Sequence, residues 1–241
     1  KTPSGCGSAA SGMLFVDGLL EHLIAKGWTP SAVDGAVLEK SGAMVAVYVD
    51  DLLMGRPPAA TRQRMAEVGR MVRLSKVHEL ACFLGTSYAV MRRGGVTYVT
   101  ASQPEYARLL LQRFKDDMGC AGPLRKVDTP MAQEDLEAQC GEKPGRLSRS
   151  APTHLGGLLF LVRSSRPDLA YAVGFLTRYA ASWSEAADRR LKRIFEYLEG
   201  TLDHGVRWTV YHADAGAIVM KVFTDADHGG CQETARSTTG W

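Results

Sequence analysis

An α+β fold is predicted for this chain on three observations. Up to about residue 100, short apolar runs separated by turn residues read as antiparallel hairpins. Beyond that point the apolar spacing changes to helical periods. The 241 residues are 45% hydrophobic and 23% charged, with mean hydropathy −0.12, which is enough apolar material for one large core or two smaller ones. The same figures exclude a wholly disordered chain, a collagen-like repeat and a disulfide miniprotein. No stretch approaches the roughly 20 apolar residues of a membrane span.

The elements follow in order. The amino-terminal KTPSGCGSAASG lacks the basic and apolar regions of a signal peptide and reads as the middle of something longer. Residues 13–26 place Leu14, Phe15, Leu19, Leu23 and Ile24 at helical spacing, with Gly27 as the terminating glycine. Two apolar runs, Val33–Leu38 and Met44–Tyr48, flank the turn-prone Lys40-Ser41-Gly42. The run V-A-V-Y-V-D-D-L-L-M, residues 45–54, predicts a hairpin with Asp50 and Asp51 at its bend. Residues 59–74 read as a helix with Met65, Val68, Met71 and Val72 on its apolar stripe and arginines on the other face.

A second hairpin is expected over 80–91 and 96–100, joined by Arg92-Arg93-Gly94-Gly95. Ser102 and Glu105 have capping-box spacing and open a helix with Tyr106, Leu109, Leu110 and Phe114 on one side. Residues 117–149, rich in Gly, Pro and polar residues, read as a linker or long loop. Three helices are expected near 150–164, 167–182 and 185–199, the last with Ser184 as N-cap and Ala187, Leu191, Ile194, Phe195 and Leu198 buried. From Gly205 to Thr224 the period turns towards strand, and Val222 and Phe223 alternate with Thr224 and Asp225.

The net charge of +3 conceals an uneven distribution. Residues 54–95 hold eight basic side chains (Arg56, Arg62, Arg64, Arg70, Arg73, Lys76, Arg92, Arg93) against Glu67 and Glu79, so the rest of the chain carries −3. This excess suits a polyanionic partner, and it equally suits a solvated helix face. Five cysteines without C-x-x-C spacing fit reduced thiols in an intracellular compartment, cytoplasmic or nuclear, rather than a zinc site or secretion. His78, His154, His204 and His228 have no metal-ligand spacing and read as structural or exposed.

Asp50 and Asp51 carry the sharpest chemical signal. Adjacent carboxylates inside an apolar β segment are costly unless a partner or cation meets them. Hard oxygen donors favour Mg²⁺, which keeps water and phosphate oxygens in its shell. Two such ions about 3.5–4 Å apart can stabilise the attacking and leaving oxygens of an in-line phosphoryl displacement.

The motifs resemble those of copia-type retrotransposon Pol polyproteins. Tyr48-Val49-Asp50-Asp51 resembles the Y-x-D-D hairpin of reverse transcriptases. Phe83-Leu84-Gly85, then Gly95 to Gln103 and Tyr106, resemble the F-L-G hairpin and the S-Q-x-x-Y helix, and Thr129-Pro130 the T-P that follows. The segment L-G-G-L-L-F-L-V-R-S-S-R-P-D-L-A-Y-A-V is similar to V-G-x-L-x-Y-L-x-x-x-R-P-D-I-x-Y-A-V. Leu191-Lys192-Arg193-Ile194 with Tyr197 to Thr201 is similar to L-K-R-I-x-x-Y-L-K-G-T. F-T-D-A-D-H-G-G-C followed by Arg236 to Gly240 resembles the opening of the family's ribonuclease H domain.

The resemblance implies a partial reverse-transcriptase palm over 1–100, a mostly helical thumb and connection over 101–204 with the 117–149 linker, and a truncated start of ribonuclease H over 205–241. It implies RNA-directed DNA polymerase activity in the parent protein, with Mg²⁺ or Mn²⁺ on Asp50 and Asp51, and Asp225 as first metal ligand of ribonuclease H. Asp227 is placed either as a helper there or as a surface carboxylate. The implied partners are an RNA/DNA template–primer duplex, a deoxynucleoside triphosphate and the remaining Pol domains, with no membrane. Tyr48 packs under the primer nucleotide or is a sheet-core tyrosine. Arg62, Arg70 and Arg73, with Lys192 and Arg193 and their neighbours Arg189 and Arg190, contact phosphates or solvate helix faces.

Some family features are missing. Nothing upstream of Asp50 matches the D-V-x-x-A-F-L strand that carries the third carboxylate; Asp17 and Asp34 stand in other contexts. The G-L-x-Q-x-P-x-x-W segment is represented only by Gly5 to Phe15, without its Gln or Trp, and Ala187 stands where His is common. The span is therefore expected to be inactive alone and cut at both ends. The alternative is a degenerate, non-catalytic remnant that at most binds nucleic acid.

Overall fold

A computed structural model of the chain describes residues 9–55, 58–70, 72–74, 77–132, 143–214, 224–226, 228–229, 235 and 237. Contacts divide the chain into two units, Lys1–Ala89 with Thr100–Arg207, and Val90–Val99 with Trp208–Trp241. The two apolar clusters both lie in the first unit, one spanning Leu19 to Val68 and the other Ala107 to Leu198.

The first cluster is built from α1 (Ala9–Ala25), α2 (Pro58–Val68) and an antiparallel sheet. The sheet holds β1 (Thr29–Pro30), β2 (Val37–Lys40), β3 (Ala43–Tyr48) and β4 (Asp51–Gly55) in that order. Helix α1 stops because Gly27 takes φ +84, which only glycine adopts without strain. The Gly27 N–H then reaches the Ile24 carbonyl (2.9 Å) and the Trp28 N–H the Leu23 carbonyl (3.1 Å), a Schellman closure whose apolar contact is Trp28 on Leu23. The buried face of α1 is narrower than its apolar residues suggest. Leu19 and Leu23 enter the core, whereas Leu14, Phe15 and Ile24 stay exposed. In β3 the alternation is strict: Ala43, Val45 and Val47 are buried and the intervening residues are not.

Helix α2 ends at Val68, earlier than the apolar spacing predicts, and the chain turns at Gly69. Val68 is buried, Met65 is partly buried, and Val72 packs on the cluster from beyond the helix; Met71 lies outside the described residues. Glu67 fixes the helix to the sheet by pairing with Lys40 of β2 and with Arg64. The Lys40 ammonium, together with Arg64, holds the Glu67 carboxyl below its usual range despite the opposing effect of burial.

The second cluster is helical. It is formed by α3 (Pro104–Met118), α4 (Ala151–Ser164), a single 3-10 turn at Pro167–Leu169, α5 (Ala170–Thr177) and α6 (Glu185–Gly200). The predicted stripe on α6, from Ala187 to Leu198, is fully buried, and the Ser184 hydroxyl accepts the Ala187 N–H as an N-cap. Three expectations are corrected. Ser102 does not cap α3, because strand pairing continues to Ser102 and Pro104 fixes the first helical turn with Gln103 at the N-cap. Leu109 faces solvent, and Ala107 and Leu111 take the buried positions instead. The helix expected over 167–182 regularises only as α5, followed by turns to Ser182.

A second antiparallel-hairpin sheet has the order β5 (Cys82–Phe83), β6 (Thr86–Arg93), β7 (Val96–Ser102), β8 (Gly205–Tyr211). Strand β6 runs through Arg93, so the expected four-residue connection shrinks to Gly94-Gly95, both with positive φ. Gly205 lets β8 pass β7 closely: a methyl group there would fall 2.2 Å from the Ala101 carbonyl oxygen. In the second unit the His212 N–H bonds the Gly95 carbonyl at 2.9 Å, and the His212 ring meets the Thr97 hydroxyl. The first strand of the carboxyl-terminal segment joins the β7 edge. Thr224–Ala226 form no strand, and Val222 and Phe223 lie outside the described residues. No described helix is long and apolar enough to cross a membrane.

Candidate active-site hairpin

Strands β3 and β4 pair with Tyr48 opposite Asp51, leaving Val49 and Asp50 as a two-residue loop. Asp50 is thus in the bend and Asp51 is the first residue of the returning strand. Three other two-residue loops, Ser41-Gly42, Leu84-Gly85 and Gly94-Gly95, have positive φ at both positions and glycine at the second. The Val49-Asp50 loop contains no glycine, and Val49 sits at φ +51. A β-branched residue in that region costs on the order of 1–3 kcal/mol and persists only where its surroundings fix it. The reversal leaves both carboxylates exposed at the tip. Tyr48 is 57% exposed and shares a sheet face with Asp51, so it is not a sheet-core residue.

The hairpin tip forms one wall of a groove of about 610 Å³, well within the size of small-ligand sites. Its floor is apolar, with Leu19, Met65, Val68 and Phe83. Asp50, Asp51, Arg62, Arg73, His78 and Glu79 supply the charged and polar lining. Of the predicted phosphate-contacting arginines, Arg62 and Arg73 therefore stand in the same groove as the two carboxylates. Arg70 is exposed but does not line it. Arg64 belongs to the Glu67 pair. His78, Glu79 and Phe15 are groove residues that sequence reasoning missed, because no motif marks them.

Neither Asp50 nor Asp51 has a side-chain hydrogen bond or ion pair to another described residue. Two exposed, adjacent, hard-oxygen donors fit a Mg²⁺ or Mn²⁺ ion as part of its shell, the remainder being water, phosphate oxygens or carboxylates from elsewhere. Among the described residues no group of three or more His, Cys, Asp or Glu side chains could hold a metal ion. Asp225 is exposed, in a stretch without regular structure, and Asp227 lies outside the described residues.

The α6 basic residues are distributed differently from the groove arginines. Arg193 donates to the Thr129 hydroxyl at 3.1 Å, which ties the T-P segment to the helix. Lys192 is half-exposed and 3.9 Å from Glu196. Arg190 is buried against the rings of Phe175 (5.3 Å) and Tyr179 (5.9 Å), a packing role, and Arg189 is exposed. His154 is buried and its Nε2 pairs with Asp117 at 2.8 Å, whereas His78, His204 and His228 are exposed.

The chain is similar to several known proteins. It is 29% identical over 232 residues to the retrovirus-related Pol polyprotein from transposon RE1 of Arabidopsis thaliana, covering 92% of this chain and 15% of that one. It is 28% identical to the corresponding protein from transposon RE2, with the same coverage. It is also 26% identical over 208 residues to the uncharacterized mitochondrial protein AtMg00810 of the same plant, covering 81% of this chain and 75% of that protein. The chain thus spans about 15% of the length of the two Pol polyproteins. No protein-family model and no solved structure matches it.

Proposed function

We infer that this chain, a relative of the retrotransposon Pol polyproteins along nine-tenths of its length, is part of the palm and thumb of an RNA-directed DNA polymerase of the copia type. The reaction is transfer of a nucleotide to a primer 3′ hydroxyl. The observation that carries this reading is the placement of two carboxylates, Asp50 and Asp51, without a side-chain partner among the described residues, in one groove with Arg62 and Arg73.

Asp50 and Asp51 would hold a divalent cation, which supplies charge stabilisation to the phosphoryl oxygens when bound. Arg62 and Arg73 face the same space and neutralise phosphates of the nucleic acid or the incoming nucleotide. The exposed Tyr48 ring, beside Asp51, offers a surface for the terminal primer nucleotide. The exposed Arg70 and the half-exposed Lys192 would meet a duplex backbone. Asp225 would belong to a ribonuclease H site completed by other carboxylates.

Mn²⁺ titration of the ¹⁵N-labelled chain tests the metal assignment. Paramagnetic broadening should reach residues 48–52 before any other acidic cluster, and Asp50→Asn with Asp51→Asn should abolish it. Broadening centred on 134–142 instead would sink the assignment. The chain alone should extend no primer, and joining it to an upstream palm carrying a third carboxylate should be necessary for extension. Failure of that joined protein, with metal binding intact, would favour the second reading, a non-catalytic nucleic-acid-binding remnant. That second reading is supported by the lack of a three-ligand cluster among the described residues.

A further inference from the structure

Strands β6, β7 and β8 contain no carboxylate. They carry Arg92, Arg93 and Arg207 and the aromatic residues Tyr88, Tyr98, Trp208 and Tyr211. Strand register decides which of these share a face. The two-residue Gly94-Gly95 loop sets Arg93 opposite Val96 and Met91 opposite Tyr98. On the other side of β7, the His212 N–H bonds the Gly95 carbonyl, and Arg207 Nε donates to the Thr100 hydroxyl at 3.4 Å. Tyr211 therefore lies opposite Val96 and Thr209 opposite Tyr98. Side chains alternate between faces, so Met91, Arg93, Val96, Tyr98, Thr209 and Tyr211 lie on one face. The hydrogen-bonded His212 and Thr97 lie on the other.

All six residues of the first face belong to the second unit. Tyr211 and Met91 are more than half exposed, Arg93 is exposed and Tyr98 is half-buried. Arg93, Tyr98 and Tyr211 have no side-chain hydrogen bond, ion pair or ring contact with another described residue. Because β7 is flanked by β6 and β8, Tyr98 and Tyr211 are diagonal neighbours, about 7–8 Å apart along the sheet.

We propose that this face binds a single strand of nucleic acid, with successive bases stacked on Tyr98 and Tyr211 and a phosphate on Arg93. Strands with cations and no anions attract a polyanion. A duplex keeps its bases inside its own stack, so it could use the arginine but neither ring. A single strand uses both. The face shares no residue with the Asp50–Asp51 groove, and it stands whether or not those carboxylates hold a cation.

The test titrates the whole chain with a fluorescein-labelled thymidine oligomer of about 12 nucleotides, read by anisotropy at several salt concentrations. Tyr98→Ala and Tyr211→Ala should each weaken binding at least about fivefold, the low end of what one stacked base contributes. Tyr98→Phe and Tyr211→Phe should bind as the wild type, since a ring without its hydroxyl still stacks. Arg93→Ala should lower the slope of log K against log salt by about 0.7, whereas Arg92→Ala, on the opposite face, should leave it unchanged. Should the alanine variants fold poorly, the ring protons of Tyr98 and Tyr211 in the unsubstituted chain report the same contact, moving upfield as the oligomer is added. Unmoved rings, or wild-type affinity in either alanine variant, overturns the proposal and leaves the groove reading standing. Self-association that both alanine variants abolish, with no oligomer bound, also overturns it and makes this face a contact between copies of the chain.

Discussion

Leu110 of α3 occupies the space that a side chain at Gly157 of α4 would need. A methyl group on Gly157 would lie 2.5 Å from Leu110 Cδ2, 3.2 Å from Cδ1 and 3.4 Å from Cγ. Leu110 is itself buried in the helical cluster, so it cannot swing aside into solvent. Gly157→Ala gains about 1 kcal/mol of helix propensity and meets overpacking of about 1–3 kcal/mol, for a net loss of about 1 kcal/mol. Gly156, the preceding residue, has nothing within 4 Å of the same added methyl. Gly156→Ala should stabilise by up to about 1 kcal/mol. Urea melts of the two variants should move the midpoint in opposite directions; shifts of the same sign would contradict the close approach.

A buried arginine contributes to the acid limb of stability through its carboxylate partner. Arg166 is almost wholly buried; it donates to Asp168 (2.7 Å from Nη2, 3.0 Å from Nε), to the Thr201 carbonyl (2.9 Å) and to the Thr201 hydroxyl (2.7 Å). The Tyr197 hydroxyl also donates to Asp168, at 3.0 Å. Burial pushes the Asp168 carboxyl up, but the Arg166 hydrogen bonds and charge, with Tyr197, outweigh it and hold it below its ordinary value of 3.8. Burial, then the Asp168 carboxylate, raises the Tyr197 hydroxyl. A carboxyl lowered by folding contributes stability that is complete above its unfolded value and is lost as pH falls through the folded one. Asp168→Asn should therefore cost about 1 kcal/mol at neutral pH, the worth of hydrogen bonds to a charged group reduced for a partly exposed carboxylate, and approach the wild type as pH falls below 3.8. Parallel stability curves from about pH 2 to pH 6 would show that Asp168 does not carry this dependence.

Binding to nucleic acid should separate the arginines by their partners. Arg62, Arg70 and Arg73 are exposed, whereas Arg64 pairs within α2 with Glu67, the residue that also pairs with Lys40 of β2. Replacing the first three by Ala should flatten the dependence of log K on log salt by about 0.9 per lost phosphate contact on B-form DNA, and by about 0.7 on single strands. An unchanged slope would assign those three to solvation alone. Arg64→Ala should instead loosen the α2 attachment, read as a lower thermal midpoint.

The sequence was most legible where one period runs undisturbed. The α6 stripe from Ala187 to Leu198 and the strands flanking Asp50 and Asp51 are placed as spacing predicts. It was least legible where distant residues decide. Residues 117–149 read as a linker because Gly, Pro and polar residues dominate, yet Leu124 and Leu147 are buried in the helical core. Two carboxylates of α6 hold this stretch: Glu199 accepts the Leu124 N–H (2.8 Å), and Asp188 accepts the Arg146 N–H (2.6 Å), the Leu147 N–H (3.2 Å) and the Trp183 indole N–H (2.7 Å). No local pattern announces a carboxylate that holds a loop 41 residues away. Ser102 misled similarly. Gln103, not Ser102, marks the helix start, and its side chain spans from the Gly85 carbonyl to the Ser165 hydroxyl. For the candidate site, the motif fixed Asp50 and Asp51, but only the fold brings Arg62, Arg73 and Phe15 into their groove.

Strand β4 is the last in its sheet, so among the described residues its outer backbone donors and acceptors are open to whatever strand arrives. An open edge invites another molecule's edge, and proteins resist that encounter with short strands and charge. Here the defence is a five-residue strand that begins with Asp51. The carboxylate proposed to attract a cation thus also repels a second copy of the chain, and a bound cation would cancel that repulsion. Colloidal behaviour should follow metal loading: divalent ions, or neutral replacements at Asp51, will favour self-association through β4 in the absence of a covering strand. Light scattering belongs beside every Asp51→Asn measurement, since loss of binding and loss of monomer would otherwise look alike.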